Sequence, residues 1–355
     1  MKETLSSIAA RTGYSITTVS RVLSGQSDKH RISPETRDKI LKVAKENNYF
    51  PNLVAQNLRT NKSDTIGILL PSVANPYFAD IASVVIKEAR KRKYTAIVID
   101  SDENVESEKS AISSLMSRQV DGIIAAPCGE DPALFEEISK KHKPVILIDR
   151  YFSNSALPYV TTNNYLGSTM AVSHLIMNGH SNIACIQGVT SSVPNKKRVA
   201  GYLSALDKAG IRDRAIVVGN EFSEQNGYLE TKLLLNRADK PTAIFALSNT
   251  ILLGALKAIR EAGMTVPEDI SIISFDDSIY MDYMTPAISR ISQPTEEMGK
   301  LATKLLFECI SSGNRCATQI ELAPEMISRG SVSIPLKSGT STTLPSQYDS
   351  ENQPR

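Results

Sequence analysis

The spacing of hydrophobic positions divides the chain into regions of different period. Residues 5–12 and 16–24 carry apolar side chains at helical spacing on either side of Thr12-Gly13-Tyr14-Ser15. Gly13 permits the turn and Ser15 is a good N-cap for the second helix. A third helix is framed by Ser33-Pro34-Glu35-Thr36, has Ile40, Leu41, Val43 and Ala44 on its apolar face, and runs to about Asn48. Tyr49-Phe50-Pro51 stops it. Residues 52–59 form one more short helical pattern, followed by the polar linker Thr60-Asn61-Lys62-Ser63-Asp64. From residue 65 the period changes. Short β-rich runs at 65–70, 94–100, 121–126, 144–149, 183–187, 215–218, 243–247 and 270–275 alternate with helical stretches. That rhythm predicts parallel sheets with helices on both faces. A break near 150–165 separates two doubly wound lobes. After about 335 the sequence turns polar and is expected to be a disordered tail. The expected organisation is a helix-turn-helix head over 1–50, a hinge and linker over 51–63, a two-lobed α/β body over 64–334, and the tail over 335–355.

Length and composition narrow the class. A chain of 355 residues is too long for one simple core. With 41% hydrophobic and 22% charged residues it has the composition of a soluble globular protein. No apolar run approaches the ~20 residues of a membrane span, and the N-terminus opens into helix-like sequence without a signal-peptide core. The four cysteines form no C-x-x-C pair, so we expect a reduced cytoplasmic setting, no zinc site and no other cofactor. Charge is unevenly spread. Residues 1–62 hold 11 Lys and Arg against 5 Asp and Glu, and the rest holds 29 against 33. A basic head on a mildly acidic body fits a polyanionic partner for the head.

Projected at about 100° per residue, Val19, Val22 and Leu23 face the bundle, while Thr17, Arg21 and Ser24 face outward. A recognition helix needs this division. Arg21 can donate two hydrogen bonds to guanine O6 and N7, and Thr17 can reach a base edge or a thymine methyl. Thr18 and Ser20 suit phosphate contacts, which position without specifying. Ile16, on the boundary of the apolar face, serves either the flank of the core or a base contact. One head offers little contact, so a homodimer on near-palindromic double-stranded DNA is expected.

The run Gly13-Tyr14-Ser15-Ile16-Thr17-Thr18-Val19-Ser20-Arg21-Val22-Leu23, with Ser33-Pro34-Glu35-Thr36-Arg37 and Asn48-Tyr49-Phe50-Pro51-Asn52, resembles the LacI/GalR family of repressors. The loop from Ser24 to Arg31 is a few residues longer than usual there and is expected to alter backbone contacts. Residues 52–59 look like the family's hinge helix. The resemblance implies that two such helices enter the minor groove together, with Leu58 wedged between base pairs and Asn52 and Ala55 also at the DNA. A helix of about eight residues is too short to be stable alone in water, and the cost of unstacking is offset by the surface that bent DNA wraps. Packing within the bundle is the other role open to Leu58.

The body resembles the same family, in Asn75-Pro76-Tyr77-Phe78-Ala79, Asp121-Gly122-Ile123-Ile124, Asp149-Arg150, Phe275-Asp276-Asp277 and Gln293-Pro294 among others. The resemblance implies a periplasmic-binding-protein-like fold with a small-molecule effector between two lobes, at the carboxyl ends of the strands. It carries over Tyr77, Phe78, Asp149, Arg198, Phe222, Asn249, Asp276 and Gln293 as effector-binding positions. Acidic, amide and arginine groups with aromatic walls suit a sugar or related polyol. Local alternatives stay open: Asp276, Asp277 and Asn249 can cap helices, Tyr77 and Phe78 can be core, and Asp149-Arg150 can be a surface ion pair. Thr250, the run Thr161-Thr162-Asn163-Asn164, and Pro194 depart from the family pattern and bear on which effector fits. A transport-type sugar-binding protein fits the body but not the head. An enzyme is not expected, because G-x-G-x-x-G, G-x-x-x-x-G-K-[ST] and G-x-S-x-G are all missing. The expectation is a ligand-controlled transcriptional regulator, a repressor.

Overall fold

The computed structural model describes residues 3–49, 62–141, 143–313 and 316–335. The chain divides into two compact units between Ser63 and Asp64. The segment 52–59, with the sites expected at Asn52, Ala55 and Leu58, and the tail from 336 lie outside the described residues.

Among the described residues of the first unit three helices form, Leu5–Thr12, Ile16–Leu23 and Pro34–Glu46. Each starts at a hydroxyl N-cap. Thr4, Ser15 and Ser33 accept from the backbone N–H of Ser7, Thr18 and Thr36. Gly13 ends the first helix at φ 77°, a conformation that favours glycine. Ile8, Ala9, Val19, Val22 and Ile40 close a small core between the helices.

The second unit holds two six-stranded sheets. The first has the order β11-β5-β4-β3-β1-β2, where β1 is Thr65–Leu70, β2 Thr95–Asp100, β3 Gly122–Ala125, β4 Val145–Ile148, β5 Tyr159–Thr162 and β11 Gln319–Leu322. The second has the order β12-β10-β9-β8-β6-β7, with β6 Ile183–Ile186, β7 Ile216–Val218, β8 Ala243–Ala246, β9 Ser271–Phe275, β10 Ser289–Ser292 and β12 Glu325–Ile327. The two orders are topologically equivalent strand for strand. All pairings are parallel except β10 with β12. Helices Pro76–Lys91 and Thr295–Ser312 cover one face of the first sheet, and Val105–Ser117 and Ala133–Lys140 the other. Helices Asn164–Met177 and Val193–Lys208 cover one face of the second sheet, and Glu224–Leu235 and Asn249–Glu261 the other.

The eight strands read from the sequence form at the expected places. Four more, β5, β10, β11 and β12, were not anticipated. They take the chain back and forth between the lobes, near 163, 293–294 and 323–324. Two of these crossings are tied together where Asn163 N–H donates to Leu322 O at 2.7 Å.

Candidate functional site

The helix Ile16–Leu23 buries Val19 and Val22 and turns Thr17 outward. Ile16 is 52% exposed, so it does not serve the core as one reading allowed. The Arg21 guanidinium makes no hydrogen bond or ion pair with any described residue, and the Thr17 and Ser20 hydroxyls are likewise unclaimed. Two of the expected contact residues also hydrogen-bond locally. The Thr18 hydroxyl lies 2.9 Å from Ser15 Oγ at the N-cap, and Ser24 Oγ donates to Ser20 O at 2.7 Å. The long loop after the helix is ordered by Gln26 N–H on Arg21 O and Ile32 N–H on Ser27 O, both 2.9 Å. It brings His30 near Arg21, and desolvation, Arg21 and Lys29 hold its imidazole below the ordinary histidine range. The sequence reading did not single out His30.

In the second unit six of the expected effector positions line one interlobe space: Tyr77, Phe78, Asp149, Arg198, Phe222 and Asp276. The other two, Asn249 and Gln293, stand behind it on Asp276. Gln293 Nε2 donates to Asp276 Oδ1 at 2.6 Å and Asn249 N–H to Oδ2 at 3.3 Å. From the other lobe the Tyr77 hydroxyl lies 2.7 Å from Asp149 Oδ1 and 3.2 Å from Gln293 Oε1. A hydrogen-bonded chain therefore runs from Asp149 through Tyr77 and Gln293 to Asp276. Both carboxyls are buried, and burial pushes each above the ordinary carboxylate range, with Arg198 pulling the other way. Burial, with Asp149 beside it, also pushes the Tyr77 phenol well up.

Local sequence explains the placement. Asp149 directly follows β4 and Asp276 directly follows β9, so each projects from the carboxyl end of an equivalent strand. Asn75 and Ser192 cap the helices after β1 and β6, and these helices carry Tyr77 and Arg198. The Phe222 ring packs against Gly188, where a Cβ would come within 2.2 Å of it.

The structure corrects three local alternatives. Asp149 and Arg150 are both buried and are not a surface pair. Arg150 pairs instead with Glu103, through Nη1 and Nη2 at 2.7 and 2.6 Å. Asp276 caps no helix that follows it, and Asp277 pairs with Arg290. Ser248, not Asn249, is the N-cap of Asn249–Glu261. Sequence reasoning missed Glu103, Asn75 and Ser248, which also line the space. Pro194 lines it too and offers no side-chain hydrogen-bonding group. The enclosed volume is about 20 Å³, against roughly 300–1,000 Å³ for sites that hold small molecules. The lobes are drawn together over their polar groups.

No described helix is long and apolar enough to cross a membrane. Comparison with known proteins places both units. Residues 4–52 match the family model of bacterial regulatory proteins, lacI family, and residues 172–332 match that of a periplasmic binding protein-like domain. The chain is 32% identical over 337 residues to the HTH-type transcriptional regulator DegA of Bacillus subtilis, covering 94% of this chain and 99% of the relative. It is 31% identical to the ribose operon repressor of Haemophilus influenzae, over 93% of this chain and 98% of that protein. Among solved structures, the lac repressor dimer bound to operator and the anti-inducer ONPF matches with a TM-score of 0.84 and 28% identity, covering 94% of this chain and all of that one. A LacI family regulator from Enterococcus faecium with bound ribose matches with a TM-score of 0.69 and 31% identity, over 77% of this chain and 100% of that one. With whole-length relatives above 30% identity and the head matched over 4–52, the chain belongs to the lacI family of bacterial regulatory proteins.

Proposed function

We propose that this regulator is a repressor that binds a near-palindromic operator as a homodimer, and that a small sugar-like effector in the interlobe cleft sets its DNA affinity. The observation that carries the reading is the cleft itself. Two equivalent strand ends deliver Asp149 and Asp276 from opposite lobes to one closed, polar space walled by Phe78 and Phe222. Such a site holds a polyhydroxyl molecule through its carboxylates and amides, and it senses that molecule because the two lobes must separate to admit it. Relatives support each half. The lac repressor structure is a dimer on operator, and the E. faecium regulator holds ribose.

In this reading residues 1–50 are the DNA-reading domain, 51–63 the hinge, 64–334 the effector and dimerisation body, and 335–355 a tail. Arg21 and Thr17 read bases. Ile16, Thr18, Ser20 and Ser24 lie along the same contact surface, and Asn52, Ala55 and Leu58 enter the minor groove from the hinge. Tyr77, Phe78, Asp149, Arg198, Phe222, Asn249, Asp276 and Gln293 form or support the effector site. The chain acts in the cytoplasm and is not an enzyme. The effector works as a population shift, binding one lobe arrangement better and passing that preference to the hinge pair.

The test begins by selecting an operator from random duplexes with the full chain. Its affinity is then measured with and without each of a panel of sugars. The expected result is a two-fold-symmetric site whose affinity changes at least about fivefold with one ligand, the low end of ordinary coupling. An operator that no small molecule affects would remove the sensor half of the reading, and failure to select any sequence would remove the other half.

A further inference from the structure

We infer that the effector is an uncharged polyol, and that the cleft rejects anionic forms of the same skeleton such as sugar phosphates and sugar acids. The inference rests on reading the interlobe space as the effector site and adds the charge of the molecule that fits it.

Both arginines of the cleft are already engaged. Arg150 presents its two terminal nitrogens to the two oxygens of Glu103 at 2.7 and 2.6 Å, the bidentate fit of guanidinium to carboxylate. Its guanidinium lies 5.9 Å from the centre of the Phe78 ring and 5.8 Å from that of Phe222, so the pair is held by both walls. Arg198 donates Nε to Asn164 Oδ1 and Nη1 to Leu247 O, both at 2.7 Å, and lies 3.8 Å over the Phe275 ring. Its remaining nitrogen, Nη2, stands 3.9 Å from Asp276 Oδ1. Two cations thus face three carboxylates, Glu103, Asp149 and Asp276. In the pocket on the other side of Arg150, Lys196 is paired with Glu130 at 2.8 Å. An incoming anion finds one cleft guanidinium nitrogen without a hydrogen bond, Arg198 Nη2, and that nitrogen already faces Asp276. The anion meets Asp149 and Asp276 in a space with little water to screen them, and recruiting Arg150 would strand Glu103.

The unused hydrogen-bonding capacity has the matching sense. Asp149 Oδ2 has no partner among the described residues, and Asn249 Oδ1 is fully buried without one. The orientation of that amide is fixed. Asn75 Oδ1 accepts the Tyr77 N–H at the helix cap and can only accept again, so it takes Asn249 Nδ2 at 3.2 Å and leaves Oδ1 open. Both of these atoms are acceptors, and the donor Arg198 Nη2 beside them already faces Asp276. Hydroxyl groups supply donors to them, whereas phosphate and carboxylate supply only further acceptors. Opening the lobes breaks the Asn75–Asn249 and Tyr77–Gln293 contacts and adds more amide and carboxylate valences for hydroxyls to satisfy.

The experiment uses the full chain with matched pairs. D-ribose, D-glucose and D-galactose are compared with ribose 5-phosphate, glucose 6-phosphate and gluconate, first by thermal shift and then by calorimetry on any hit. The expected result is stabilisation by an uncharged sugar, with a dissociation constant at least about 100-fold below that of its anionic counterpart. Glu103→Gln, which releases the Arg150 fork, should narrow that ratio by about tenfold. An anionic sugar that binds as tightly as its parent or more tightly overturns the charge inference and leaves the effector reading standing. Stabilisation by neither set overturns both. Because the wild-type comparison decides by itself, the inference stays open to refutation even if Glu103→Gln fails to fold.

Discussion

Asp149 and Asp276 stand at φ 61° and 77°, in the left-handed region that side chains other than glycine, asparagine and aspartate seldom adopt. A conformation of that kind costs of order 1–3 kcal/mol and persists where the surroundings over-determine it, commonly at ligand sites. Here each turns its carboxyl from a strand end into the cleft. Asp276→Asn keeps the backbone tolerance and the shape but removes the charge from the hydroxyl acceptor. Effector affinity should fall about 10- to 100-fold, the worth of a charged hydrogen bond, while operator affinity without effector stays within about twofold. Calorimetry and operator titration check this, and loss of the folded circular dichroism signal would make Asp276 structural instead. In the head, Arg21→Ala should cost roughly 1–3 kcal/mol on the selected operator and relax base preference at one position of each half-site. Equal weakening on all sequences would mark Arg21 as a phosphate contact.

At the level of elements, glycine sets how the second lobe presents its site. A Cβ on Gly254 would lie 1.9 Å from Glu224 O, and one on Gly227 would lie 2.1 Å from Ile251 O. Helices Glu224–Leu235 and Asn249–Glu261 therefore touch backbone to backbone, and this contact fixes where the second begins and where Asn249 N–H meets Asp276. Gly254→Ala should destabilise the body by about 1–3 kcal/mol, as overpacking does, and should also weaken effector binding through the displaced helix start. A lowered melting temperature with unchanged affinity would show that the helix start is held from elsewhere. What the sequence revealed follows the same physics. Strands β1, β3, β4, β6 and β8 are near-continuous apolar runs because both sheet faces are covered, and their period change stands out. Strands β5 and β10 do not, since Thr161, Thr162 and Ser289 are buried polar residues. Their hydroxyls are satisfied by Asp149 O, Met298 Sδ and Arg329 O, partners that only the tertiary structure brings near. The same holds in the site. Asp149 and Asp276 follow recognisable strands, but Glu103 sits 47 residues from Arg150 in a polar loop with nothing local to mark it.

At the scale of the whole body, closing the lobes buries carboxyl groups, and that cost has a pH signature. Asp149, Asp276 and Glu108 are all raised above their ordinary range, in each case chiefly by burial. A carboxyl with a raised pKa binds its proton more tightly folded than unfolded. Its contribution is fully present below the unfolded value, about 4, and is lost as pH rises through the folded value. Asp282 works in the opposite direction. Arg290 and Arg329 lower it to about 2, so its contribution is present above about 4 and is lost as pH falls towards 2. The melting temperature of the full chain should therefore climb from pH 2 to about 4 and then decline as the three buried carboxyls ionise. The decline tests the closed state itself, because open lobes would let water reach Asp149 and Asp276 and restore ordinary pKa values. A pairwise comparison separates the contributions. Asp149→Asn with Asp276→Asn should flatten most of the decline and leave the share of Glu108, which lies outside the paired-aspartate chain. Should wild type decline no more than that double variant, the lobes rest open in solution, and an effector would bind by closing them rather than by prising them apart.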